Sequence, residues 1–223
     1  MPSQAFPRIG GIAAVGFAAL IVLANVIAVP AGLPHTGASL DEVDAFFRTE
    51  GDVVRVSSAL TPAAWLLATL FGAGAVTALR RSERERGDAW SLVGFVGLAL
   101  QNAAFAGVIA ARLAMSSPAM EDVAGLWTLH DALFTLNGTF LAIALLGLSV
   151  GGLRAGLTPA WHGALGLLAA ALLFASATLT PLIIDHAGSL SSLGLVGWLL
   201  WVVWIVAYGV ILIRFGRHDR QVR

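Results

Sequence analysis

Residues 9–30 read IGGIAAVGFAALIVLANVIAVP, an unbroken run with no charged side chain. Crossing about 30 Å of hydrocarbon takes about 20 apolar residues in a helix, so this stretch alone is long enough to span a bilayer. It is too long for the apolar region of a signal peptide, and no small-x-small cleavage site follows it cleanly, so it reads as a retained anchor. Five further stretches of the same kind follow, at 53–79, 89–115, 125–150, 159–185 and 192–213. Lipid offers the backbone no hydrogen-bond partner, so each stretch is expected to be a helix. The alternation of polar and apolar residues that marks a membrane barrel is absent. The expected fold is therefore all-α: a polytopic bundle of six transmembrane helices, with residues 1–223 forming one membrane domain.

Composition agrees. Hydrophobic residues make up 58% of the chain and charged ones 12%, and the mean hydropathy is +0.85. A soluble domain needs far more charge to coat its surface. There is no cysteine, which excludes disulfides, thiolate nucleophiles and cysteine-held metals. All 13 basic residues are arginines, and without a lysine amine no retinal or pyridoxal Schiff base can form. The formal net charge is zero, which gives nucleic acid no basic footprint to bind.

Arginine placement sets the expected orientation. Arg8, then Arg80, Arg81, Arg84 and Arg86, then Arg154, and finally Arg214, Arg217, Arg220 and Arg223 all fall on one side of the bundle. The opposite loops carry Asp41, Glu42, Asp44, Glu50, Asp52, Glu121 and Asp122, with Arg48 as their single arginine. The positive-inside rule makes the arginine side, and both termini with it, cytoplasmic. The expected location is the plasma membrane.

The longest connection, residues 31–52, lies on the acidic side. Ser39 followed by Glu42 forms a capping-box pattern that opens a short helix over 39–48. Leu40, Val43, Phe46 and Phe47 share one of its faces, so this helix is expected to lie in the interface or to cover the bundle. Pro62 is expected to kink span two, and Pro181 span five. The tetrapeptide Leu-Thr-Pro-Ala occurs at 60–63 and again at 157–160, in spans two and five, which run in opposite directions. Inverted repeats are common in transporters, but one tetrapeptide in a chain rich in alanine and leucine is better explained by chance.

Ionisable groups inside a span are expensive, so each is a candidate for function. Here they gather in the acidic half. Arg55 stands near the start of span two, Arg112 near the end of span three, His130 and Asp131 about two turns into span four, and Asp185 and His186 at the end of span five. The arginine-side half is nearly free of charge. Gln101, Phe105, Val108 and Arg112 fall on one face of span three. Asn102 and Asn137 sit near mid-bilayer on neighbouring spans and are expected to meet, and Arg112 and Asp131 lie at similar depths and are expected to pair. The candidate ligand-binding residues are thus Arg55, Asn102, Arg112, His130, Asp131, Asn137 and Asp185. The same contacts also serve as plain interhelical glue.

No metal or cofactor is expected. A zinc site needs three or four converging ligands, and adjacent residues such as His130 and Asp131 diverge by about 100° on a helix. His130 and His162 lie toward opposite sides, which disfavours a shared haem. The Gly-x-Ser-x-Gly elbow of serine hydrolases is missing. Trp201, Trp204 and Tyr208 share a face of span six, where packing is favoured over a seam for a partner. Gly94 with Gly97, and Gly163 with Gly166, miss the four-residue spacing of a GxxxG seam.

The segment Ala38-Ser39-Leu40-Asp41-Glu42-Val43-Asp44-Ala45-Phe46-Phe47 and the stretch Arg154-Ala155-Gly156-Leu157-Thr158-Pro159-Ala160-Trp161 resemble segments of uncharacterised six-span membrane proteins of actinobacteria. The resemblance implies a six-helix bundle in the plasma membrane. It brings no substrate, cofactor or catalytic residue. Three functional classes stay open: binding or transport of a small molecule or ion, an accessory subunit or homo-oligomer within a membrane complex, and an enzyme acting on a lipid or isoprenoid through Asp131 or Asp185.

Overall fold

The computed structural model describes residues 5–117, 119, 123–183 and 191–218, and these are organised as helices α1 (Ala5–Ala28), α2 (Leu40–Thr49), α3 (Gly51–Ala59), α4 (Thr61–Arg86), α5 (Trp90–Met115), α6 (Ala124–Arg154), α7 (Ala160–Ile183) and α8 (Ser191–His218). No strand occurs among the described residues. Six helical stretches are long and apolar enough to cross a membrane: α1, α3 with α4, α5, α6, α7 and α8. The expected all-α six-helix bundle is the observed fold.

The spans close into a ring. α1 packs on α4 and α8, α8 on α7, α7 on α6, α6 on α5, and α5 returns to α4. Consecutive spans are neighbours, as the short connections require, and the last span also meets the first. Phe17, Phe71, Leu145, Leu148, Trp204 and Tyr208 are buried inside. Ile12, Val26, Leu66, Val96, Leu168 and Val203 point outward and are more than half exposed. An apolar exterior of this extent suits hydrocarbon rather than water.

Two features depart from the sequence reading. Span two is broken rather than only kinked: α3 ends at Ala59 and α4 begins at Thr61, with Pro62 in the first turn of α4. Proline lacks the N–H that a continuous helix would need there, and the first turn is the one place where that N–H is not missed. Beyond residue 79 the helix continues through the arginine segment to Gly87, which ends it with φ 70°. α7 is helical through Pro181 to Ile183. The two Leu-Thr-Pro-Ala copies occupy unlike places, one at the break inside span two and the other in the connector before α7, so no repeat symmetry is supported.

Glycine sets the closest helix approaches. A Cβ on Gly74 of α4 would stand 2.7 Å from the Cα of Gly10 of α1, and one on Gly209 of α8 would stand 2.7 Å from the carbonyl oxygen of Gly11. These contacts pin α1 between α4 and α8, where only glycine lets two backbones approach.

Candidate functional site

Arg112, His130 and Asp131 form one hydrogen-bonded chain at the acidic end. α5 and α6 run antiparallel, with Gly107 against Leu133 and Arg112 against His130. Arg112 Nε donates to His130 Nε2 at 3.0 Å. An arginine N–H is always a donor, so Nε2 is the bare acceptor and the ring proton sits on Nδ1. That Nδ1–H faces Asp131 Oδ1 at 3.0 Å. The other carboxylate oxygen, Oδ2, accepts from the backbone N–H of Gly37 at 3.1 Å. The arginine and aspartate are thus joined through a neutral imidazole rather than directly, which corrects the expected Arg112–Asp131 pair. His130 and Asp131 do meet although adjacent, because the carboxylate folds back onto its neighbour's ring. His130 is 2% exposed and Asp131 7%.

Aromatic rings hold the imidazole in place. Trp127, one turn earlier on α6, stacks on His130 with ring centroids 4.5 Å apart and planes 11° apart. Phe134, one turn later, stacks at 6.0 Å. The sequence reading missed Trp127, although its i, i+3 spacing to His130 was visible. It also missed Gly37, since no motif announces a backbone donor.

Helix α2 covers this end of the bundle. Ser39 caps it by accepting from the backbone N–H of Glu42 at 3.3 Å. Val43, Phe46 and Phe47 are buried in a cluster with Val54, Met115 and Trp127, and Phe47 meets Trp127 edge-on at 6.4 Å. Of the two expected positions, interface or cover, α2 takes the cover. Leu40 departs from the expected face and is 49% exposed. Trp127 therefore touches both the cover and the imidazole, and Asp131 holds the turn at Gly37 that leads into α2.

The remaining candidates divide. Arg55 is exposed on α3 and pairs with Asp52 at 2.7 Å, apart from the chain around Arg112. Asn102 and Asn137 lie deeper, about 15 Å below Arg112 and about 10 Å below His130 at 1.5 Å per residue. The side-chain oxygens of both, and of Gln101, are buried without a hydrogen-bond partner, so the expected Asn102–Asn137 bridge is not made. Asp185 and His186 lie outside the described residues. Among the described residues, no three histidine, aspartate or glutamate side chains gather into a metal-sized group.

The arginine-side half is not free of charge. Glu83, in the last turn of α4, is 5% exposed. Its carboxylate accepts from Ser91 N at 2.6 Å and from Ser91 Oγ. Span two ends at residue 79 by apolar length, and the extension of α4 to Arg86 carries Glu83 into the bundle. Trp201, Trp204 and Tyr208 are buried among the core residues, in line with packing as their role.

Fold and site together define an integral membrane protein of six spans with a covered polar cluster at one end. No family model, curated protein or solved structure matches the chain.

Proposed function

We propose that this chain is a plasma-membrane protein that binds a small polar molecule or ion at its acidic, outward end, on Arg112, His130 and Asp131 beneath helix α2. The observation that carries this reading is the continuous chain Arg112–His130–Asp131–Gly37. It couples a half-buried guanidinium to the turn that positions the cover. Among the described residues, only Nε of Arg112 has a hydrogen-bond partner, which leaves the two terminal nitrogens for an acceptor group on a ligand. A guest that engages Arg112 changes the load on His130 and Asp131, and through Gly37 it changes the seat of α2.

The other two classes have less support. The aromatic face of α8 that suggested a subunit seam lies inside the bundle. Asp131 already accepts two N–H groups, which leaves it a poor acid for lipid chemistry.

The test is a thermal-shift screen of the intact chain in mild detergent against small carboxylates, amino acids and inorganic ions, with native mass spectrometry of the same sample. A ligand should raise the midpoint of the wild type and leave folded Arg112→Ala and Asp131→Asn unmoved. Equal responses in all three proteins would remove the reading.

A further inference from the structure

His130 holds one lone pair that two partners compete for. Its Nδ1–H is committed to Asp131 Oδ1 at 3.0 Å, so Nε2 is the only ring nitrogen that an added proton can take. Arg112 Nε–H already occupies that nitrogen at 3.0 Å. The bare ring nitrogen accepts either a proton or a hydrogen bond, so protonation of His130 and its bond to Arg112 exclude each other. A second ring proton would set two N–H donors and two positive charges face to face across the α5–α6 seam. The ring is held by Asp131 and lies parallel to Trp127 and Phe134. The group that moves is therefore the long, half-buried side chain of Arg112.

Among the described residues, the surrounding elements bring no other charge to this ring. Arg112 is the single charged residue of α5, and α7 carries no aspartate, glutamate or arginine. The charges of α4 begin at Arg80, toward its far end. On the cover, Arg48 pairs with Asp44 and Arg55 with Asp52. His35, Asp41 and Glu42 are exposed, and Glu50 is half-buried where α2 meets α3.

We propose that proton uptake by His130 switches this site: acid on the α2 side breaks its bond to Arg112, frees the whole guanidinium for an anionic group and loosens the cover. Arg112, neutral His130 and Asp131 together carry no net charge, and one added proton leaves a positive charge that an anion offsets. The cover feels the change from two sides. Trp127 stacks on His130, Met115 stands one turn beyond Arg112, and both belong to the apolar cluster of Val43, Phe46 and Phe47. The bond is whole while the ring holds a single proton and is lost as pH falls through the ring's titration. The proposal rests on the reading of these three residues as the binding site and adds its regulation.

Amide exchange of the full chain in lipid nanodiscs, with no ligand added and rates corrected for intrinsic pH dependence, tests the switch. From about pH 7.5 to about pH 5, residues 37–49 should exchange at least about fivefold faster relative to the middle of α5. Folded His130→Gln, whose amide still accepts from Arg112 and donates to Asp131 but does not titrate, should show no such rise. Nitrogen-15 spectra of the histidine rings should show one ring with its proton on Nδ1 at the higher pH, becoming doubly protonated as exchange rises. Unchanged exchange in the wild type, an equal rise in His130→Gln, or a ring that stays singly protonated throughout the rise overturns the proposal. The ring signal decides even if His130→Gln does not fold. With no ligand present, a missing acid response leaves the binding reading standing, and a failed ligand screen leaves the acid response standing.

Discussion

Gly147 of α6 faces Gly94 of α5 so closely that a Cβ on Gly147 would stand 2.6 Å from the Cα of Gly94. Neither helix backbone can yield without moving its whole span. Gly147→Ala and Gly94→Ala should each destabilise the bundle by about 1–3 kcal/mol, the usual cost of overpacking. Gly125, at the start of α6, has nothing within 4 Å of its missing Cβ. Gly125→Ala should be neutral or stabilise by up to about 1 kcal/mol through helix propensity. Unfolding in mixed micelles compares the three variants directly, and a similar loss in all of them would mean that space is not what these glycines provide.

The bond between Arg112 and His130 is open to a double-mutant cycle. Arg112→Gln and His130→Phe, alone and together, should give a coupling of about 0.6–2 kcal/mol, the range for polar contacts between membrane helices. A coupling near zero would show that the two side chains act independently and would loosen the link between guanidinium and cover.

The cover depends on two polar ties and one apolar one. Ser39→Ala removes the N-cap of α2, a loss of about 1 kcal/mol of helix stability. Asp131→Asn weakens the hold on Gly37, and Phe47→Ala empties its place beside Trp127. Each should speed amide exchange over residues 37–49 while leaving α5 and α6 protected. Unchanged exchange in all three variants would mean that α2 is held by something else.

Glu83 is a structural carboxylate rather than a site residue. Glu83→Ala leaves the N–H and hydroxyl of Ser91 buried and unpaired, which should lower stability by about 1–3 kcal/mol. Glu85, two residues on, pairs with Arg81 in the open at 3.1 Å. Glu85→Ala should cost less than about 1 kcal/mol.

The spans were legible because apolar length is a one-dimensional property. Arg112, His130 and Asp131 were legible as candidates for the same reason, since charge inside a span stands out whatever surrounds it. Their wiring was not. Whether arginine reaches aspartate directly or through histidine depends on rotamers and helix rotation, which spacing does not specify. Gly37 donates from its backbone and leaves no side-chain signature. Gly147 and Gly151 do stand at four-residue spacing on α6, but that spacing does not name Gly94 as the partner across the seam. Glu83 was hidden by a boundary: ending span two at residue 79 placed a buried group in a loop.

The arginines predict an orientation, and the cysteine-free sequence gives a clean way to test it. Asp41 and Glu85 are both exposed, one on α2 and the other near the end of α4. Among the described residues, Arg8, Arg80, Arg81, Arg84, Arg86, Arg154 and Arg214 lie on the Glu85 side, and the positive-inside rule retains such clusters in the cytoplasm. Asp41→Cys should therefore react with a membrane-impermeant maleimide on intact cells. Glu85→Cys should react only after the membrane is opened. The reverse pattern would place the Arg112 cluster on the cytoplasmic side, and its ligand would then have to be sought among intracellular solutes.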